Sequence, residues 1–171
     1  LAGAGAQAHA EQATAAAAAA TAVATSLDYR VVPTRIFAKL LNPAFTHTIH
    51  MSHEKGRNGV WVWMAGDHSA QIAADPLEGH YFASSVTPAT SGVWARQRDD
   101  EGIYNVQHFG AKADGVNDDW AAIMAAYDIM PPSGGVLLFP QTPAYYRHMT
   151  PLTFGDGTAE TVSTKQNVQI K

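Results

Sequence analysis

A chain of 171 residues suits one ordinary domain or two small ones, and an apolar fraction of 46% is enough for a packed core. A net charge of −4 with only eleven lysines and arginines provides no basic stripe, so nucleic-acid binding is not expected. The longest weakly apolar run is broken by His9, Glu11 and Gln12 and has no basic flank, which fits neither a membrane span nor a signal peptide.

Residues 1–28 form the first segment, an Ala-rich helical stalk or linker; up to residue 26 it is just over half alanine. Alanine has the highest helix propensity, but its methyl group buries little area, so such a helix gains most from packing closely against others. Gly3, Gly5 and the threonines weaken it, and no a/d pattern of large residues fixes a register. A narrow helical bundle and a flexible linker both fit. No strand precedes Gly3 and Gly5, so they are not a phosphate loop. The chain starts at Leu1 instead of an initiator methionine, which leaves room for preceding residues.

The second segment, residues 29–100, reads as a small β-rich adaptor module. "TRIFAKLL" suits a short helix ended by Asn42-Pro43, "FTHTIHMSH" a strand, and "EKGRNG" a turn. "VWVWM" is the clearest strand in the chain. "HSAQIAAD" suits one more helical turn, and "HYFASS" and "GVWAR" two further strands around a loop with Pro88 and Gly92. Strands this short need partners on both sides or a neighbouring chain. The acidic "RDDEG", Arg98 to Gly102, marks the boundary.

The third segment, residues 101–171, runs strand ("IYNVQHF"), turn, helix, turn, strand ("GVLLFP"), loop, and then short strands separated by polar turns. The last of these, "NVQIK", has nothing after it to pair with, which predicts that the fold continues beyond Lys171. Within this segment Asn117, Asp118 and Asp119 precede a helix over Trp120 to Met130, stopped by Pro131-Pro132. Adjacent carboxylates beside a glycine loop also suit an acid/base pair or a calcium site. A helix start needs the same residues whatever the function, because their side chains accept the free N–H groups of the first turn and oppose the helix dipole. Capping is therefore the expected role. At 100° per residue, Trp120, Tyr127 and Met130 fall within about 60° of Ile123, with Ala121, Ala125 and Asp128 opposite.

"NVQHFGAKADGVNDDWAAIMAAYDIMPPSGGVLLFP", Asn105 to Pro140, resembles the N-terminal signature of the pectate-lyase-like right-handed β-helix proteins. That signature is a short strand, Phe-Gly-Ala, Asp-Gly, two aspartates, an Ala-rich amphipathic helix, a Gly-Gly turn and a strand ending in Phe-Pro. After Pro140 the sequence "QTPAYYR" departs from the Gly-Thr-Tyr-like turn common in the family. The aromatic module before the signature, with the Ala-rich start, looks like the N-terminal part of phage tailspike and tail fibre proteins. The fold class implied is mainly β: an N-terminal Ala-rich helix, a small β-rich adaptor, and the helix-capped start of a truncated right-handed parallel β-helix. In that family the helix is a lid, because the end of a β-helix exposes a hydrophobic interior and unpaired strand edges. The cap would comprise Asn117, Asp118, Asp119, Trp120, Ile123, Tyr127 and Met130.

The resemblance implies a homotrimer in the virion tail whose partners are other copies of itself, other phage tail or baseplate proteins, and a bacterial surface polysaccharide contacted through a C-terminal region beyond Lys171. The alternative from another class is a fragment of a secreted polysaccharide lyase or hydrolase. No cofactor is expected, and the family's catalytic carboxylates lie on later coils. His47, His50 and His53 recur every third residue and three imidazoles can hold a metal, but on a strand His50 points away from the other two. Three chains bringing their histidines to one axis would change that. Trp61, Trp63, Tyr81, Phe82 and Trp94 suit either a packed core or sugar stacking, with core packing the default for alternating strands.

Overall fold

The computed structural model describes residues 9, 11–15, 29–98, 102–152, 154 and 168–170. Of the expected stalk, residues 9 and 11–15 are helical and the remainder lies outside the described residues, as do the strands and turns expected over 155–167.

Five strands form the first sheet: β1 (Tyr29–Val32), β2 (Thr48–Met51), β3 (Gly59–Ala65), β4 (Tyr81–Phe82) and β5 (Gly92–Arg96). Their order is β1-β2-β3-β5-β4, with β1 parallel to β2 and the other pairs antiparallel. A parallel neighbour requires a crossover, and α1 (Arg35–Lys39) lies in it. A second short helix, α2 (Ser69–Ala74), joins β3 to β4. The register sets Ile49 beside Trp61 and Trp63 beside Trp94. With Val32, Met51, Phe82 and Ala38 of α1 they form one hydrophobic core, partly covered by Leu41. Packing there is tight enough to dictate a glycine, since a Cβ on Gly92 would stand 2.2 Å from the Trp63 ring.

Three parallel strands form the second sheet in the order β6-β7-β8: β6 (Ile103–Asn105), β7 (Gly135–Leu138) and β8 (Val168–Ile170). The crossover between β6 and β7 carries α3 (Trp120–Asp128). Ile123, Tyr127 and Met130 are buried with Tyr104, Val106, Phe109 and Leu137 in a second core. The described chain is a small mixed α/β structure with a small parallel sheet, its three helices falling where the sequence suggests them.

One expectation changes. The strand expected through "IYNVQHF" ends at Asn105, because the Asn105 side chain accepts from Gln107 N at 2.9 Å and sets a 3-10 turn over Val106–Phe109. Gly110, at φ 104°, then reverses the chain. The strand expected over "NVQIK" is β8, which pairs in parallel with the preceding β7 and has its far edge unpaired among the described residues.

Candidate functional site at the junction of the two sheets

The helical wheel expected for α3 places its residues well. Ile123, Tyr127 and Met130 are buried, whereas Ala121 and Asp128 are exposed on the opposite side. Trp120 stays at the rim, half-buried, with Nε1 donating to Pro151 O at 3.2 Å.

The three residues before α3 divide their work differently from the expected cap. Asp118 Oδ1 accepts from Trp120 N at 3.0 Å, the first helical N–H, and from Met149 N at 3.3 Å. Asn117 caps nothing: its amide oxygen accepts from Lys112 Nζ, and its nitrogen donates to Asp114 Oδ2. Asp119 occupies the N-cap position, but its side chain makes no capping hydrogen bond. Its buried carboxylate turns back and accepts from Lys112 N at 2.6 Å, Ala113 N at 3.1 Å and Arg147 N at 3.3 Å, while Asp119 N donates to Arg147 O. Ala113 is held at φ 50°, a left-handed conformation uncommon outside glycine and asparagine, and the carboxylate fixes the N–H of that residue. Asp119 is thus a clasp between the Lys112–Ala113 loop and the returning chain at Arg147. In the same loop the Asp114 carboxylate is held well below its usual range, to about 2, by hydrogen bonds from Asn117 N, Val116 N and the Asn117 side chain.

A second polar cluster lies where the sheets meet. The Asp75 carboxylate is buried and accepts from Gly79 N, His80 N and Tyr81 N at 2.7–3.0 Å, which shapes the corner before β4. Arg96, at the end of β5, donates Nε to Gly79 O, Nη1 to Asn58 O and Nη2 to Arg57 O, with its guanidinium 4.4 Å from the centre of the Trp61 ring. Arg57 donates Nη1 to Leu77 O at 2.6 Å and Nη2 to Phe109 O at 2.5 Å, so it spans from the first sheet's turns to the 3-10 turn of the second region. Burial, and then repulsion from Arg35, lowers the Arg57 pKa to about 10; burial, and then Arg57, lowers Arg96 to about 9. Both remain charged at neutral pH.

Against this fork pack two histidines. The His80 ring lies 5.0 Å from Phe109, 5.4 Å from Tyr104 and 6.1 Å from His108. His80 Nε2 and His108 Nδ1 are buried without a hydrogen-bond partner. Burial pushes His80 down to about 2 and His108 to about 3, helped at His80 by Arg98 and at His108 by Arg96. The close approach is enforced at Gly79, where a Cβ would stand 2.4 Å from the Phe109 ring. Clefts of about 580 Å³, beside Arg96 and His108, and about 510 Å³, beside Arg57 and Gly110, flank the junction. Nothing local in the sequence marks this fastening, because Arg57 and Arg96 bind backbone carbonyls as far as 52 residues away.

The other constellations resolve simply. Trp61, Phe82 and Trp94 are fully buried in the first core and offer no face to a sugar; Trp63 and Tyr81 are half-buried. The His50 ring lies 6.4 Å from the Tyr29 ring, tilted to it, and His53 Nδ1 lies 2.7 Å from Ser52 Oγ. That Ser–His pair lacks an orienting carboxylate among the described residues. No three His, Asp or Glu side chains among the described residues converge on a metal-sized space.

No family model matches the chain, and no curated protein matches it. A solved structure, WceF of Pantoea stewartii, described as a glycan biofilm modifying enzyme with a bacteriophage tailspike-like parallel beta-helix fold, aligns at 22% identity with a TM-score of 0.41. The alignment covers 63% of this chain and 16% of that one.

Proposed function

We propose that the chain is the structural N-terminal part of a phage tailspike or tail fibre, which attaches a receptor-binding or glycan-cleaving β-helix shaft to the virion tail. In this reading residues 1–28 are the stalk that gathers three copies, residues 29–100 the adaptor, and residues 101–171 the capped start of a right-handed β-helix. The observation that carries it is the ladder β6-β7-β8, three parallel strands in register with α3 laid against Tyr104 and Leu137. Parallel strands stacked under one amphipathic helix, with the far edge of β8 unpaired among the described residues, are what the beginning of a β-helix requires. The junction supports the same reading, since a part that transmits force to a shaft has to be fastened to it. Arg57 makes that fastening by donating to Phe109 O, while Arg96 and Asp75 hold the turns of the first region on which it sits.

The work proposed is mechanical, and residues 1–171 alone are not expected to cleave glycans. The test is immunoelectron microscopy with an antibody raised against residues 29–98. Label on the tails of virions supports the proposal. Antigen found only as free protein in culture supernatant, with capsule or pectin depolymerised by residues 1–171, overturns it in favour of a secreted polysaccharide lyase or hydrolase.

A further inference from the structure

The two clefts at the junction differ in charge. The one beside Arg57 and Gly110 is lined by Glu54 and Asp114 as well as by cations. The one beside Arg96 and His108, of about 580 Å³, is lined by no Asp or Glu among the described residues. Arg57, Arg96 and Arg98 all act on His108 to oppose its protonation, and no described carboxylate offsets them. Positive charge without a counter-charge in a cleft attracts an anion more strongly than the same charge on an open surface, because less water screens it.

The fold holds the polar residues of this cleft by their main chains and leaves side-chain groups for a ligand. Asn58 O accepts from Arg96 Nη1 and Gln97 N donates to Val60 O, both at 2.9 Å, while neither side-chain amide is engaged among the described residues. Asn105 uses Oδ1 to accept from Gln107 N and keeps Nδ2. His108 Nδ1 is buried without a partner, which is costly unless a polar group reaches it. The Arg98 guanidinium lies 5.4 Å from the centre of the Tyr104 ring, and Val60, Ile103 and Leu138 add hydrocarbon to the same lining.

We infer that this cleft binds a small hydroxy acid, with its carboxylate at Arg98 and its hydroxyls at the amides of Asn58, Gln97 and Asn105. A carboxylate suits a guanidinium, which can give it two parallel N–H···O bonds. An amide donates and accepts, as a hydroxyl does, so three amides around one space suit a ligand with several hydroxyls better than a bare anion. The aliphatic side chains suit the C–H groups of such a ligand. The volume falls within the range of small-ligand pockets, roughly 300–1,000 Å³. The assignment is of binding alone. It needs neither a second copy of the chain nor a shaft, so it stands or falls apart from the tail reading.

The test is a titration of residues 1–171 with galacturonate at pH 7, followed by calorimetry for affinity and by amide NMR shifts for position. Saturable binding that moves the signals of Gly59, Gln97 and Arg98 is the expected result. Arg98→Gln and Gln97→Ala lie outside the bonds that fasten the junction, and unchanged far-UV circular dichroism is expected of both. The first should weaken binding on the order of tenfold or more, the second about threefold to tenfold. Galactose, which lacks the carboxylate, and inorganic phosphate, which lacks the hydroxylated carbon frame, should both bind more weakly. Equal binding of galactose overturns the role given to Arg98, and equal binding of phosphate overturns the hydroxy-acid class. An affinity that Arg98→Gln leaves unchanged overturns the site. Asp99, Asp100 and Glu101 follow Arg98 in the sequence and lie outside the described residues. Binding seen only when they are changed to Asn, Asn and Gln also overturns the proposal, because the chain's own carboxylates then serve the cleft. Absence of binding at millimolar galacturonate in both proteins overturns it outright.

Discussion

Asp75 and Asp119 are both buried, and each accepts three backbone N–H groups. The partners of Asp75 lie four to six residues ahead of it, so it shapes one local corner. The partners of Asp119 lie at 112, 113 and 147, and it ties a loop before α3 to chain that returns after β7. The contrast follows the regions they serve. The first sheet has five strands around a tryptophan-rich core and holds together through its ladders. The second has three short parallel strands, and α3 and the Asp119 clasp close what the sheet alone leaves open. A carboxylate used the same way therefore carries local shape in one region and long-range closure in the other.

The sharpest way to break the second region without touching the first is Ile123→Asp. Ile123 is fully buried among Tyr104, Phe109 and Leu137, where an unpaired charge has to be desolvated. Aggregation or failure to fold is expected, read as loss of soluble protein on expression. Asp119→Ala comes next. It leaves three N–H groups without their charged acceptor, and a cost on the order of 3–5 kcal/mol is expected in urea melts. Asp75→Ala removes as many bonds over a shorter span, and about 2–3 kcal/mol is expected. Equal losses, or a larger one at Asp75, would contradict the distinction between closure and corner.

Much of this was legible in the sequence and some could not have been. "VWVWM" and "GVWAR" announce β3 and β5 through their β-branched and aromatic residues, and the buried face of α3 follows from the spacing of Ile123, Tyr127 and Met130. "YRVV" carries no comparable signal: β1 is a strand because β2 supplies its hydrogen bonds, and its outer face is as apolar as its inner one. Asp119 reads as a helix cap because a helix follows it. Its real acceptor role depends on where Arg147 returns, which no window around Asp119 contains. Arg57 and Arg96 are hidden for the same reason, since backbone carbonyls leave no trace in side-chain patterns.

Acid sharpens the comparison at the junction. Folding keeps His80 and His108 neutral, with pKa values near 2 and 3, whereas an unfolded histidine takes up its proton near 6.5. Below pH 6.5 the unfolded chain therefore binds more protons, and stability present above that pH is lost as pH falls toward 3. The slope for each imidazole is about 1.4 kcal/mol per pH unit once the unfolded form is protonated. Arg57, Arg96 and Arg98 face the pair and oppose its protonation. Urea midpoints measured from pH 7 to pH 4 should fall, and His80→Phe should flatten the curve; a pH-independent midpoint would contradict burial of both rings. The smallest effect belongs to the residues expected to cap. Asn117→Ala and Asp118→Ala lie on exposed or half-exposed loop and are expected to cost about 0.5–1 kcal/mol each. A loss at Asn117 as large as that at Asp119 would restore the simple cap.

The most direct measurement is an electron cryomicroscopy structure of the polypeptide extended beyond Lys171. A fourth strand added in parallel to the open edge of β8, with α3 closing the opposite end of the stack and three chains around one axis, is the expected result. An antiparallel strand or a loop sealing that edge would contradict the chain's being the start of a β-helix.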